Sequence, residues 1–144
     1  MWPKNTSATA AAVAALAQTA SSPLFKAQFP DAAASYLEKA RRGWNFLTAA
    51  IAKHGKDGAY QKLTHYGDTF MHDDELAWAA CEMFLATGDP AYQLQFIKWY
   101  DPASPATLKW SWQRLFEGYG CAARSYAFSA RTGRLETRQL DATY

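Results

Sequence analysis

Cysteine is scarce in this chain: Cys81 and Cys121 are its two, they form no Cys-x-x-Cys pair, and each falls inside an apolar helical pattern. Buried thiols are a plainer account of them than a zinc site, and they leave the redox compartment open. No run approaches the ~20 consecutive apolar residues that span a bilayer, so no membrane segment is expected. The Ala-rich stretch from Ala8 to Ala17 keeps helical spacing through Val13, Leu16 and Ala17, which marks a packed helix and not a signal-peptide core flanked by Lys4. An excess of one charge is missing as well. The formal net charge is +2 and Arg41-Arg42 is the sole adjacent basic pair, too little for a nucleic-acid surface. His54, His65 and His72 have no spacing that puts two on one helix face, and no serine sits in a nucleophile elbow. Zinc, histidine-base and serine-nucleophile chemistry therefore find no support.

What the chain has is apolar and aromatic bulk. With 144 residues, 49% of them hydrophobic and 15% aromatic, it has the material for one ordinary domain with a real core, and disorder through lack of burial is not expected. Six Trp invite a sugar-binding role, since flat rings cover the apolar faces of pyranoses, but Trp and Tyr also fill helix interfaces.

Every long segment carries helical period, and none alternates β-branched with polar residues. A first helix is expected over about Ser7 to Thr19. A second is expected from Asp31, as N-cap, to His54-Gly55, with Tyr36, Leu37, Ala40, Trp44, Leu47 and Ile51 on one face. Lys56 to Thr69 reads as a long loop. A third helix begins near Asp73 or Asp74 and runs to Thr87, where Gly88 supplies a left-handed cap, and Asp89-Pro90 starts a fourth helix to Trp99. A fifth runs from Trp110 or Trp112 to Ala130 with Leu115, Tyr119, Ala122 and Tyr126 on a face, and a sixth from Thr137 to Tyr144.

Paired helices without strands allow a bundle, a solenoid or a toroid of concentric hairpins, and the lack of a fixed repeat disfavours a regular solenoid. The inner helix of a toroidal hairpin is covered on nearly every side. From Leu76 to Ala86 the one charged residue is Glu82, which suits an inner helix, whereas Glu38, Lys39, Arg41, Arg42 and Lys53 suit an outer position for the second helix.

The most informative stretch is Tyr66 to Tyr92. Tyr66 is followed by Asp74-Glu75 at a helix start, Trp78-Ala79-Ala80 inside it, Phe84-Leu85-Ala86-Thr87-Gly88-Asp89 at its end, and Tyr92. In order and spacing this resembles family 9 glycoside hydrolases, the helical-toroid cellulases, and Tyr36-Leu37-Glu38-Lys39-Ala40 with Trp44-Asn45-Phe46-Leu47 is similar to the family's preceding outer helix. The resemblance covers roughly residues 10 to 130.

The resemblance implies an all-α fold of helical hairpins forming part of an (α/α)6 toroid, and an inverting hydrolase of β-1,4-glucan. Inversion needs a base and an acid carboxyl roughly 6.5–9.5 Å apart. The family carries the base in an Asp-Ala-Gly-Asp motif and the acid Glu near its C-terminus, and neither is visible here. The chain is thus expected to be an internal piece of a catalytic domain, inactive without its remainder. The adjacent carboxylates Asp73, Asp74 and Glu75 cannot straddle a glycosidic bond, and the helix dipole is expected to keep them ionised. They serve either as N-terminal capping groups or, as in several family members, as calcium ligands. Asp74 and Glu75 are then the ligand side chains, with Glu117 where the family usually has Asp, and with backbone oxygens of Phe70 and Met71. No cofactor for catalysis is implied beyond that structural calcium.

Tyr66 matches a sugar-contacting loop position, Trp112 or Trp110 offers a stacking platform, and Asp68 is close enough in sequence to bond a hydroxyl, although a turn explains it more simply. Secretion follows from the family alone. Two rivals stand beside this: a non-enzymatic helical interaction domain, and another (α/α) toroid enzyme such as an epimerase or polysaccharide lyase.

Overall fold

Alanine dominates the first helix, and it is the strongest helix former with the least side-chain bulk. In the computed structural model, which describes residues 6–54, 73–100 and 118–135, that helix is α1, Thr6–Ser21, with Ala10, Val13, Ala14, Ala17 and Ala20 buried along it. So thin a face lets another helix come close. It is used twice: α1 packs against α3, Pro30–His54, on one side and α4, Asp73–Thr87, on another. The α3 contact is close because Gly43 faces Val13, where an added Cβ would fall 2.5 Å from Val13 Cγ2.

The other described helices are α2, Pro23–Gln28, α5, Pro90–Trp99, and α6, Gly118–Phe128. Helix α4 lies between α1 and α6, with α5 packed against it, and α3 is packed against α1. Three helices, α1, α4 and α6, make an inner layer; α3 and α5 make an outer one. This is the arrangement of helical hairpins in part of an (α/α) toroid, and every described element is helical. From Leu76 to Leu85 all of α4 is buried except Trp78, as an inner helix requires, while Glu38, Lys39, Arg41, Arg42 and Lys53 are exposed on α3.

Local chemistry sets the ends. Gly88 adopts φ 70° and its N–H returns to Phe84 O at 2.7 Å, closing α4; Asp89 then caps α5 by accepting from Ala91 N at 2.9 Å, and Pro90 supplies its first turn. The core face expected of α3 is largely there, with Ala40, Trp44 and Leu47 buried and Tyr36, Leu37 and Ile51 half-buried. Tyr119, Ala122 and Tyr126 of α6 are buried as expected, while Leu115 and the sixth helix lie outside the described residues.

Three details differ from the sequence expectation. Helix α3 begins at Pro30, so Asp31 sits inside its first turn and does not cap it. Proline's fixed φ suits a first helical position, and the Ala33 N to Phe29 O bond of 2.9 Å closes that turn without a side-chain acceptor. A short helix, α2, fills what reads as a connection, nucleated by Ser22, whose hydroxyl accepts from Phe25 N, and by Pro23 behind it. Cys81 is fully buried, but Cys121 is only half-buried and lines a cavity.

Candidate functional site

Two clusters of polar groups interrupt the apolar inner layer, and both are built on α4. The first is at its N-terminal end. Asp74 Oδ2 accepts a hydrogen bond from Gly118 N, the first residue of α6, at 2.9 Å. Glu75 Oε1 accepts from Ser7 Oγ, in the first turn of α1, at 2.8 Å. Three inner helices therefore meet at these two carboxyl groups. Gly118 is needed there: a Cβ on it would strike the Asp74 carbonyl group and come within 2.8 Å of Glu75 N.

Glu75 Oε2 is buried and has no hydrogen-bond partner. An ionised oxygen so placed is costly, because solvent is lost and nothing replaces it. Burial, followed by hydrogen bonding to Asp74 and repulsion from its charge, pushes the Glu75 carboxyl from 4.5 to about 8. Its contact with Asp74 becomes a hydrogen bond only when a proton lies between the two groups. The expectation that the helix dipole keeps these acids ionised is opposed at Glu75 by this desolvation.

The second cluster is in the middle of α4. Glu82 is fully buried, accepts from Trp78 Nε1 at 3.1 Å and from Ser125 Oγ of α6, and forms an ion pair with Arg134 in the turns that follow α6. The Arg134 Nε–H in turn donates to Ser21 Oγ, at the end of α1, at 2.8 Å. A cavity of about 480 Å³ opens beside it, lined among others by Gln18, Trp78, Cys121, Arg124 and Arg134. Burial also pushes the Cys121 thiol up, against the opposing effect of Arg124, so this half-exposed sulfur is not an activated nucleophile.

Of the residues singled out from sequence, Asp74 and Glu75 are placed together. Tyr66, Asp68, Trp110, Trp112, Glu117, Phe70 and Met71 lie outside the described residues. Gly118, the chain neighbour of Glu117, is the residue bonded to Asp74. Among the described residues no three His, Cys, Asp or Glu gather into a metal-binding group, and no helix is long and apolar enough to cross a membrane. Sequence reasoning missed Ser7, Ser125 and Arg134. Their partners are 68, 43 and 52 residues away, and nothing local in the sequence marks such pairings.

The model of glycosyl hydrolase family 9 matches residues 2–143, nearly the whole chain. The chain belongs to glycosyl hydrolase family 9. No solved structure matches it. Membership in family 9, whose fold is the (α/α)6 barrel, accounts for the two layers: α1, α4 and α6 are barrel-lining helices and α3 and α5 their outer partners. Of the ligands that the family 9 resemblance implies for calcium, the described residues hold two side chains, Asp74 and Glu75, fewer than the six to eight oxygens that ion takes. Glu75 Oε2 is buried without a donor, a need that a proton held between the two carboxyl groups meets.

Proposed function

We propose that this chain is part of an inverting β-1,4-glucan hydrolase, a cellulase or endoglucanase, whose catalytic Asp pair and acid Glu lie outside these 144 residues. The observation that supports the second half of this reading is the commitment of the barrel-lining carboxylates among the described residues. Among the described residues, Glu82 is paired with Arg134 and accepts from Trp78 and Ser125, Asp74 accepts from Gly118 N, and Glu75 accepts from Ser7. Inversion requires one ionised base and one protonated acid facing each other across a sugar. Asp74 and Glu75 are sequence neighbours on one helix end, so they cannot take opposite sides of a glycosidic bond.

In this reading the chain supplies substrate contacts and support. Tyr66 and one of Trp112 and Trp110 provide aromatic faces for glucose units of a β-glucan. Asp74, Glu75 and Glu117 would hold calcium, which contributes positive charge to an acidic helix end and ties the neighbouring chain to it, with no part in bond cleavage. The enzyme acts outside the cell, on a polysaccharide too large to enter one.

The test is reducing-sugar release from soluble β-1,4-glucan by the purified chain, alone and mixed with a polypeptide carrying the rest of a family 9 domain. No release is expected from the chain alone. Turnover by it would place catalytic carboxylates within these residues and overturn the assignment.

A further inference from the structure

Between Leu76 and Leu85 every residue of α4 is buried except Trp78. The exception lies on the wall of the cavity of about 480 Å³ beside Glu82. All three inner helices contribute to that wall: Gln18 from α1, Trp78 from α4, and Arg124, Ser125 and Phe128 from α6. Among the described residues, none that lines it comes from α3 or α5, so the cavity lies on the barrel-interior side of the layer.

Packing alone does not account for this Trp. A ring that only filled the layer would be covered like Phe84 on the same helix, which is 2% exposed. Trp78 keeps a surface toward the cavity while its polar edge is held: Nε1–H donates to Glu82 Oε1 at 3.1 Å, and Glu82 is itself fixed by Arg134 and Ser125. The indole cannot swing out of the cavity wall without leaving a buried carboxylate one donor short. Around it the walls are mixed in character. Phe128 is apolar, whereas Gln18, whose side-chain amide donates to Ser125 Oγ at 3.2 Å, and Arg124 bring polar groups from two helices. A fixed aromatic surface with a few convergent polar groups, in a volume within the ~300–1,000 Å³ usual for ligand pockets, suits a ligand with an apolar face and a rim of hydroxyls. A pyranose has both. A wholly apolar ligand would strip water from the amide and guanidinium groups and return no hydrogen bonds.

We propose that this cavity is a glucose-unit subsite of the barrel interior, with Trp78, held by Glu82, as its stacking platform and with Gln18 and Arg124 reading sugar hydroxyls. This rests on the β-glucan reading given above and adds to it a sugar contact on α4, separate from Tyr66 and from Trp112 or Trp110. The buried ion pair of α4 then has a use besides stability, since it keeps an aromatic face turned to the interior.

The experiment is calorimetric titration of the purified full chain with cellotriose, and with its α-1,4-linked counterpart maltotriose as a second probe. Trp78→Ala, Trp78→Phe, Gln18→Ala and Tyr66→Ala are titrated beside the parent, and melting curves report whether each is folded. Trp78→Ala is expected to bind cellotriose about 10-fold or more weakly, as truncation of an aromatic anchor does. Trp78→Phe keeps a ring but has no N–H for Glu82, and Gln18→Ala changes an exposed side chain; each is expected to lose roughly 2- to 10-fold. Cellotriose binding that is weakened in Tyr66→Ala and unchanged in Trp78→Ala overturns the cavity subsite and leaves the β-glucan reading standing. A parent that binds neither sugar also overturns the subsite. Should Trp78→Ala not fold, parental affinity in both Trp78→Phe and Gln18→Ala overturns it instead. Preference for maltotriose, lost in Trp78→Ala, supports the cavity as a glucose site and removes the β-glucan reading.

Discussion

Glu75 and Glu82 are seven residues apart on α4, two turns of helix and therefore nearly one stripe. Glu82 is fully buried and Glu75 half-buried, and their surroundings treat them in opposite ways. Glu82 has a cation and two further donors drawn from its own helix, from α6 and from the turns after it. Glu75 has one hydroxyl, an acidic neighbour and an oxygen with no partner. The difference separates an acid that is finished as structure from one that still lacks a proton or a cation. A charge in an apolar layer is by itself no sign of a functional site, since the number and kind of its donors decide which it is.

The largest expected effect comes from breaking the finished cluster. Replacing Glu82 by Ala leaves the Arg134 guanidinium, 7% exposed, without its counter-charge, and leaves Trp78 Nε1 without its acceptor. Removing one partner of a buried ion pair costs about 3–5 kcal/mol, because the remaining charge stays desolvated. Urea unfolding of Glu82→Ala against the parent measures it. A loss under about 1 kcal/mol, the range of an exposed pair, would mean that water reaches Arg134 and that the contrast with Glu75 is one of degree.

A smaller loss is expected where α6 meets the unfinished cluster. Alanine is about 1 kcal/mol better than glycine inside a helix, so Gly118→Ala would stabilise α6 if the position were open. It is closed: the added Cβ meets the Asp74 carbonyl group and Glu75 N at 2.8 Å, and backbone atoms do not swing aside as a side-chain end does. Overpacking of this kind costs about 1–3 kcal/mol. A net drop in melting temperature supports the close seating of α6 on α4, whereas a rise would show that Gly118 is not held there.

Much of this architecture is legible in the sequence because its signals are local. Gly88 and Asp89-Pro90 mark one helix end and the next start through backbone geometry alone, and the apolar run from Leu76 marks α4 as an inner helix through periodicity. The same reasoning fails at Ser22-Pro23, where a cap and a proline open a helix only one and a half turns long, with no stripe to betray it. The candidate site divides similarly. Asp74 and Glu75 stand out because acidic residues at a helix start are a recognisable motif, and the family resemblance adds to them. The protonation of Glu75 is not legible, because it depends on how closely its surroundings cover it, and Ser7 and Gly118 are ordinary residues until the fold brings them there.

The comparison is sharpest in its pH dependence. The Glu75 carboxyl rises from 4.5 in the open chain to about 8 in the fold, so the folded state holds the proton more tightly. The linkage sign follows: the stability this proton contributes is fully present below about 4.5, declines as pH climbs, and is gone once pH passes about 8. Glu75 retains some solvent contact, and screening there will flatten the slope. Glu75→Gln has the same shape and no proton to lose, so with chelator present it is expected to melt with less dependence on pH across that window. It is also expected to be more stable than the parent at the alkaline end, where the parent must ionise beside Asp74. Melting curves at one-unit pH steps read this directly. If parent and Glu75→Gln keep parallel profiles, Glu75 is ionised in the fold, some donor serves its Oε2, and the two glutamates of α4 are alike after all.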